Sequence, residues 1–144
     1  MVKTLGFAAL LGVALVSCDR NADFEAPVVT VTNLMEGTEV QAGDTLVVEG
    51  MLTDNVELGS YTISVSPVSP NTGTFTITKR VDIMGESVNF SEALAIPTEG
   101  REGEYFVKVS AIDEEGNVGE ATTVTIVVTE SGNRGGNGGI SINL

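Results

Sequence analysis

Histidine and tryptophan are absent from this chain, and cysteine occurs once in its 144 residues. Without imidazole there is no histidine base for a serine or cysteine nucleophile, and no histidine ligand for zinc or copper. Without indole there is no tryptophan platform on which a sugar ring could stack. A single cysteine allows no disulfide within the chain, so the fold must stand on packing and hydrogen bonds. Basic residues are scarce as well: seven, against 20 acidic ones, for a formal net charge of −13. Such a surface repels nucleic acid and anionic headgroups, so no nucleic-acid partner is expected. No stretch beyond residue 18 carries a helical period, and no apolar run approaches the ~20 residues that span a bilayer.

What is present begins with the one cysteine. Lys3 gives a short positive start, Leu5 to Val16 form an apolar core, and Ser17 precedes Cys18. This is the layout of an export signal with a small residue at the cut site. The run Leu15-Val16-Ser17-Cys18 resembles the lipobox of bacterial lipoproteins. The resemblance implies cleavage before Cys18, a diacylglycerol on its thiol and a further acyl chain, such as palmitate, on its new amine. It also implies a home in the cell envelope, with the outer membrane or cell surface expected ahead of the inner membrane and the inner membrane left open. Two or more acyl chains anchor firmly where one holds only marginally. The membrane, reached through lipid at Cys18, is thus the first expected partner.

Residues 18–26 read as a polar tether, and residues 27–129 as a series of β-type runs. Val28 to Thr32 is rich in β-branched residues. Turns are expected at Glu36-Gly37 and at Ala42-Gly43-Asp44. Leu46, Val48 and Leu52 fall on one face of the next run. Tyr61, Ile63 and Val65 alternate with Thr62, Ser64 and Ser66, and so do Tyr105, Val107, Val109 and Ala111 with their neighbours. Val88, Phe90, Leu94 and Ile96 suggest a strand with an irregularity near Glu92-Ala93. Asp113 to Asn117 reads as a hairpin loop and Thr122 to Thr129 as the last strand. About seven strands at roughly 8–12-residue spacing predict an all-β, antiparallel Ig-like sandwich. Residues 130–144 are a glycine-rich tail that closes with the alternating Ile140-Ser141-Ile142-Asn143-Leu144.

The stretch Gly103-Glu104-Tyr105-Phe106-Val107-Lys108-Val109-Ser110-Ala111-Ile112-Asp113, with the loop after it, resembles the second half of an immunoglobulin-like or fibronectin type III-like module. In such modules a tyrosine opening strand F bonds back to the corner before it. The resemblance gives Tyr105 that structural role and Gly103 the corner glycine. The first half, from Ala26-Pro27 to Asp54-Asn55, is similar to bacterial Ig-like and cadherin-like surface repeats. Such sandwiches host many functions, so the likeness speaks to fold and not to activity.

The best candidate for chemistry is a set of acidic and amide residues that an Ig-like fold gathers at one pole. The segment before the first strand carries Asp23 and Glu25. The loop between strands B and C carries Asp54, Asn55 and Glu57. The F–G loop carries Asp113, Glu114, Glu115 and Asn117. Calcium takes six to eight oxygens from carboxylates, amides and carbonyls on yielding loops. Asp54, Asn55, Asp113 and Asn117 are therefore the expected Ca²⁺ ligands. The same residues also suit plain turn chemistry, where their side chains bond the local backbone. No pair of carboxylates is singled out for glycoside hydrolysis, and Lys79 and Lys108 stand in no nucleophile–base motif. Phe24 and Phe106 are the aromatics expected at the surface. The sequence points to a non-catalytic envelope module for binding or assembly, with an envelope protein or a glycan as the second expected partner. A ligand-capture lipoprotein that hands glycans or peptides to a transporter or enzyme, and a passive spacer, are the other readings.

Overall fold

The computed structural model describes residues 22–69 and 75–132. Cys18, the export signal and Ile140 to Leu144 lie outside the described residues. Eight strands occur among those described: β1 (Val28–Val31), β2 (Thr38–Gln41), β3 (Thr45–Thr53), β4 (Leu58–Pro67), β5 (Ile77–Asp82), β6 (Ser87–Ala95), β7 (Gly103–Asp113) and β8 (Thr122–Thr129). They form two sheets, a three-stranded one in the order β1-β3-β6 and a five-stranded one in the order β2-β8-β7-β4-β5. The protein is the all-β sandwich its alternation predicts. Among the described residues no helix is long and apolar enough to cross a membrane.

The alternation sets the core. In β3, Leu46, Val48, Gly50 and Leu52 point inward while Val47, Glu49 and Met51 point out. In β4 and β7 the inward sets are Tyr61, Ile63, Val65 and Tyr105, Val107, Val109, Ala111. Leu52, Leu58, Ile63, Tyr105 and Ile126 are fully buried, each stabilising the fold by about 1.5–3 kcal/mol relative to exposure. Gly50 is required for space: a Cβ there would lie 2.2 Å from the Thr30 carbonyl oxygen and 2.6 Å from the Phe90 ring.

Two details differ from the sequence reading. β2 was not visible as a strand, because Val40 is its one apolar residue. It forms through tertiary contact, pairing parallel to β8 with Thr38 opposite Ile126 and Gln41 opposite Thr129. The chain crosses from the three-stranded to the five-stranded sheet between Val31 and Thr38, and that crossing makes the pair parallel. The second detail is the expected irregularity at Glu92-Ala93. β6 pairs with β3 in unbroken register from Ala95 to Ser87. The sequence looks irregular there because Glu92 shares the inward face with Val88, Phe90 and Leu94. Its carboxylate is held by the Tyr61 hydroxyl at 2.5 Å and by the Lys79 ammonium. The actual register shift falls in β4, between Leu58 and Ser60.

Candidate functional site

Strand register brings three segments to one pole. β3 leaves the sheet at Thr53, opposite Val28 at the start of β1. β4 returns at Leu58, opposite Asp113 at the end of β7. The segment before β1, the β3–β4 loop and the β7–β8 loop are therefore neighbours, as the B–C and F–G loops of an Ig-like sandwich are.

Asp23 sits at the centre. It is 8% exposed, and Asp113 is 4% exposed. Asp23 Oδ1 accepts the Glu25 backbone N–H and the Asn55 side-chain amide, both at 3.0 Å. The Asn117 amide donates to the Asp23 carbonyl at 3.1 Å and to Asp113 Oδ2 at 2.6 Å. Asp113 Oδ1 in turn accepts the Asn117 backbone N–H at 2.7 Å. The Asn55 amide, then the Glu25 N–H, hold the Asp23 carboxyl below the usual carboxylate range. One carboxylate oxygen from each of Asp23, Asp113 and Glu115 lies within 4.8 Å of the others. Asp23 Oδ2 and Asp54 Oδ2 are buried without a hydrogen-bond partner.

The four expected ligands thus divide. Asp113 stands in the three-carboxylate cluster. Asn55 and Asn117 donate their amide N–H groups to the aspartates and fix them in place. Asp54 uses Oδ1 to accept the Val56 and Glu57 N–H groups at 3.0 and 3.1 Å, which closes the β3–β4 turn. Two residues outside the expected ligand set enter, Asp23 and Glu115. Their signal in the sequence was only membership of the acidic pole. Gly119 completes the joint, because a Cβ there would meet the Pro27 carbonyl oxygen at 2.1 Å. Asp23, Asn55 and Asn117 are each followed by an exposed apolar residue: Phe24, Val56 and Val118.

At the opposite pole Tyr105 is fully buried, its hydroxyl donating to the Arg101 carbonyl at 2.9 Å and its ring stacked on Phe75 at 4.4 Å. Gly103 opens β7 with a φ of 142°, in the region that favours glycine. A shallow groove runs beside the acidic pole along the β5 edge, lined by Ser60, Arg80, Asp82, Met84 and Asp113 among others.

Fold and site together define an Ig-like β-sandwich whose N-terminal segment is knotted into an acidic loop pole. The chain belongs to the family described as a domain of unknown function, DUF4625, which matches residues 16–129. No curated protein matches it. Similar solved structures include OgpA from Akkermansia muciniphila, at 15% identity over 70% of this chain and 28% of that one, with a TM-score of 0.49. A variant of the SrpA adhesin from Streptococcus sanguinis is similar at 14% identity over 76% and 61%, with a TM-score of 0.48. The sialic acid binding region of a Streptococcus sanguinis adhesin bound to 3'sLn is similar at 20% identity over 75% and 30%, with a TM-score of 0.40. The chain spans less than two thirds of each of these. At TM-scores below 0.5 the likenesses carry no argument about function.

Proposed function

We propose that this chain is a lipid-anchored, non-catalytic module of the cell envelope, held at Cys18 and serving binding or assembly at the outer membrane or cell surface. The observation that carries the reading is the placement of Asp23. It lies five residues after Cys18 and is fastened to both loops of the acidic pole. Five extended residues reach at most about 17 Å, so the lipid and the pole belong to one end of the molecule. Phe24, Val56 and Val118 are exposed apolar side chains at that same end. The opposite pole and the outer sheet faces are then what the protein presents to an envelope protein or a glycan. The absence of histidine from the whole sequence supports a non-catalytic role.

The groove beside Arg80 favours a second reading, capture of a glycan or peptide, because it sets a guanidinium and carboxylates beside the apolar Ile83 and Met84. The test of the anchor is membrane fractionation with intact-mass measurement. The wild-type chain should stay with membranes and weigh the mature chain from Cys18 plus its acyl groups. Cys18→Ser should lose the added mass. A Cys18→Ser chain that still carries acyl mass, or a wild type without added mass, overturns the reading. Protease shaving of intact cells reads which face displays the module. A glycan array then separates capture from assembly, and silence there together with no crosslinked neighbour in intact envelopes leaves a spacer.

A further inference from the structure

The acidic pole holds more charge than its own hydrogen bonds account for. Asp23, Asp113 and Glu115 bring three carboxylates within 4.8 Å of one another, two of them buried. Both lysine and arginine ion pairs found among the described residues lie elsewhere, Lys79 with Glu92 and Arg80 with Asp82. Like charges at this distance repel strongly in a partly desolvated site. The arrangement is nonetheless built, since Asn55, Asn117 and the Glu25 N–H hold both aspartates in place.

The second observation is independent of the cluster. Asp23 is more than nine-tenths buried, and its Oδ2 has no partner. A buried acceptor left alone is costly, more so when charged, and such a group calls for an ion or another donor to explain it. Here the lone oxygen belongs to the residue that already shares a cluster with two more carboxylates. The donors are all hard oxygens, which suit Ca²⁺ or Mg²⁺ over softer metals. Two oxygens of one Ca²⁺ shell lie at most about 5 Å apart, and the three carboxylate oxygens, all within 4.8 Å of one another, fall inside that limit. The supports are loops, which also suits the looser calcium shell.

We propose that Asp23, Asp113 and Glu115 bind a calcium ion, and that the ion clamps the segment preceding β1 to the β7–β8 loop. Asn55 and Asn117 act as positioning residues through their amide N–H groups. The consequence is mechanical. Asp23 is the first described residue to be fixed on the sandwich, so the ion sets how tightly residues 23–27 are held against the β7–β8 loop. The clamp stands on this geometry alone and does not depend on lipidation.

The experiment is calorimetry and thermal melting of the full chain in detergent, after chelator treatment, with CaCl₂ and MgCl₂ titrated separately. Calcium should bind with a dissociation constant of about 10⁻⁴–10⁻³ M, as extracellular modules do, and raise the melting temperature. Magnesium should bind more weakly. Glu115→Gln changes an exposed side chain and should leave the apo fold intact while weakening calcium by about tenfold or more. Glu114→Gln, one residue away and outside the cluster, should leave affinity unchanged. Hydrogen exchange should slow on calcium addition at residues 23–27 and 113–118 and not in β4. No heat and no melting shift up to 10 mM calcium would falsify the proposal, as would equal effects of Glu114→Gln and Glu115→Gln. Calcium binding without slower exchange at residues 23–27 overturns the clamp.

Discussion

The Tyr61 hydroxyl donates to Glu92 Oε1 at 2.5 Å, joining β4 of one sheet to β6 of the other. Lys79 on β5 reaches the second oxygen of the same carboxylate. Glu92 thereby closes the side of the sandwich where both β5 and β6 are edge strands, and Tyr61 packs against Phe90 beside it at 5.1 Å. Burial first, then the carboxylate, push the Tyr61 hydroxyl above its ordinary range. The Lys79 ammonium, then Tyr61, hold Glu92 below its own.

A pH dependence follows with a definite sign. A carboxylate whose folded value is depressed stabilises the fold above its unfolded value, near 4.5, and loses that contribution as pH falls through the lowered folded value. Glu92→Gln should melt below wild type at pH 7. The gap should close as pH falls through the lowered folded value, below which both side chains are neutral. Melting curves from pH 7 to 2.5 on both chains measure this, and a gap that persists at pH 2.5 would count against it. Glu92→Ala also strands the Tyr61 hydroxyl and should cost about 1–3 kcal/mol at pH 7.

Tyr105→Phe keeps the ring against Phe75 and deletes the hydroxyl that meets the Arg101 carbonyl. It should cost about 1 kcal/mol by urea denaturation. Tyr105→Ala opens a cavity in a fully buried site and should cost about 3–5 kcal/mol. Equal costs for the two would mean that the hydroxyl, and not the ring, carries the role.

Gly50→Ala forces a methyl against the Thr30 carbonyl and the Phe90 ring. β1 must move away from β3, so the expected loss is about 1–3 kcal/mol, measured as a lower urea midpoint. Exchange should quicken first at the β1–β3 bonds, since that pairing is what the new methyl pushes apart.

Asn117→Ala removes two donors at once, those to the Asp23 carbonyl and to Asp113 Oδ2. The core is untouched. Global stability should fall by about 1–2 kcal/mol, while amide exchange at residues 23–27 should rise more steeply than anywhere else. Uniformly faster exchange would show that the knot is not a local unit.

The strands were legible where alternation was clean. Leu46 to Leu52, Tyr61 to Val65 and Tyr105 to Ala111 each carry a two-residue period, and each period survives intact as one buried face. β2 was illegible because a four-residue strand with one valine has no period to read; β8 makes it. Glu92 disguised β6, because a single inward carboxylate reads as a break unless its partners on β4 and β5 are known.

By itself the sequence determined the class of fold and the end of the chain that bears the cysteine. Side-chain alternation is a local property, and a strand needs only its own residues to declare its inward face. It also placed the acidic residues in turns. Only the tertiary structure decided which of them meet. Asp23 and Asn117 are separated by 94 residues and joined through one amide, and that meeting depends on the register of β3, β4 and β7 all at once. Register is a relation between strands, so no single stretch of sequence carries it. That is why the cluster is Asp23, Asp113 and Glu115, with the two asparagines as its supports.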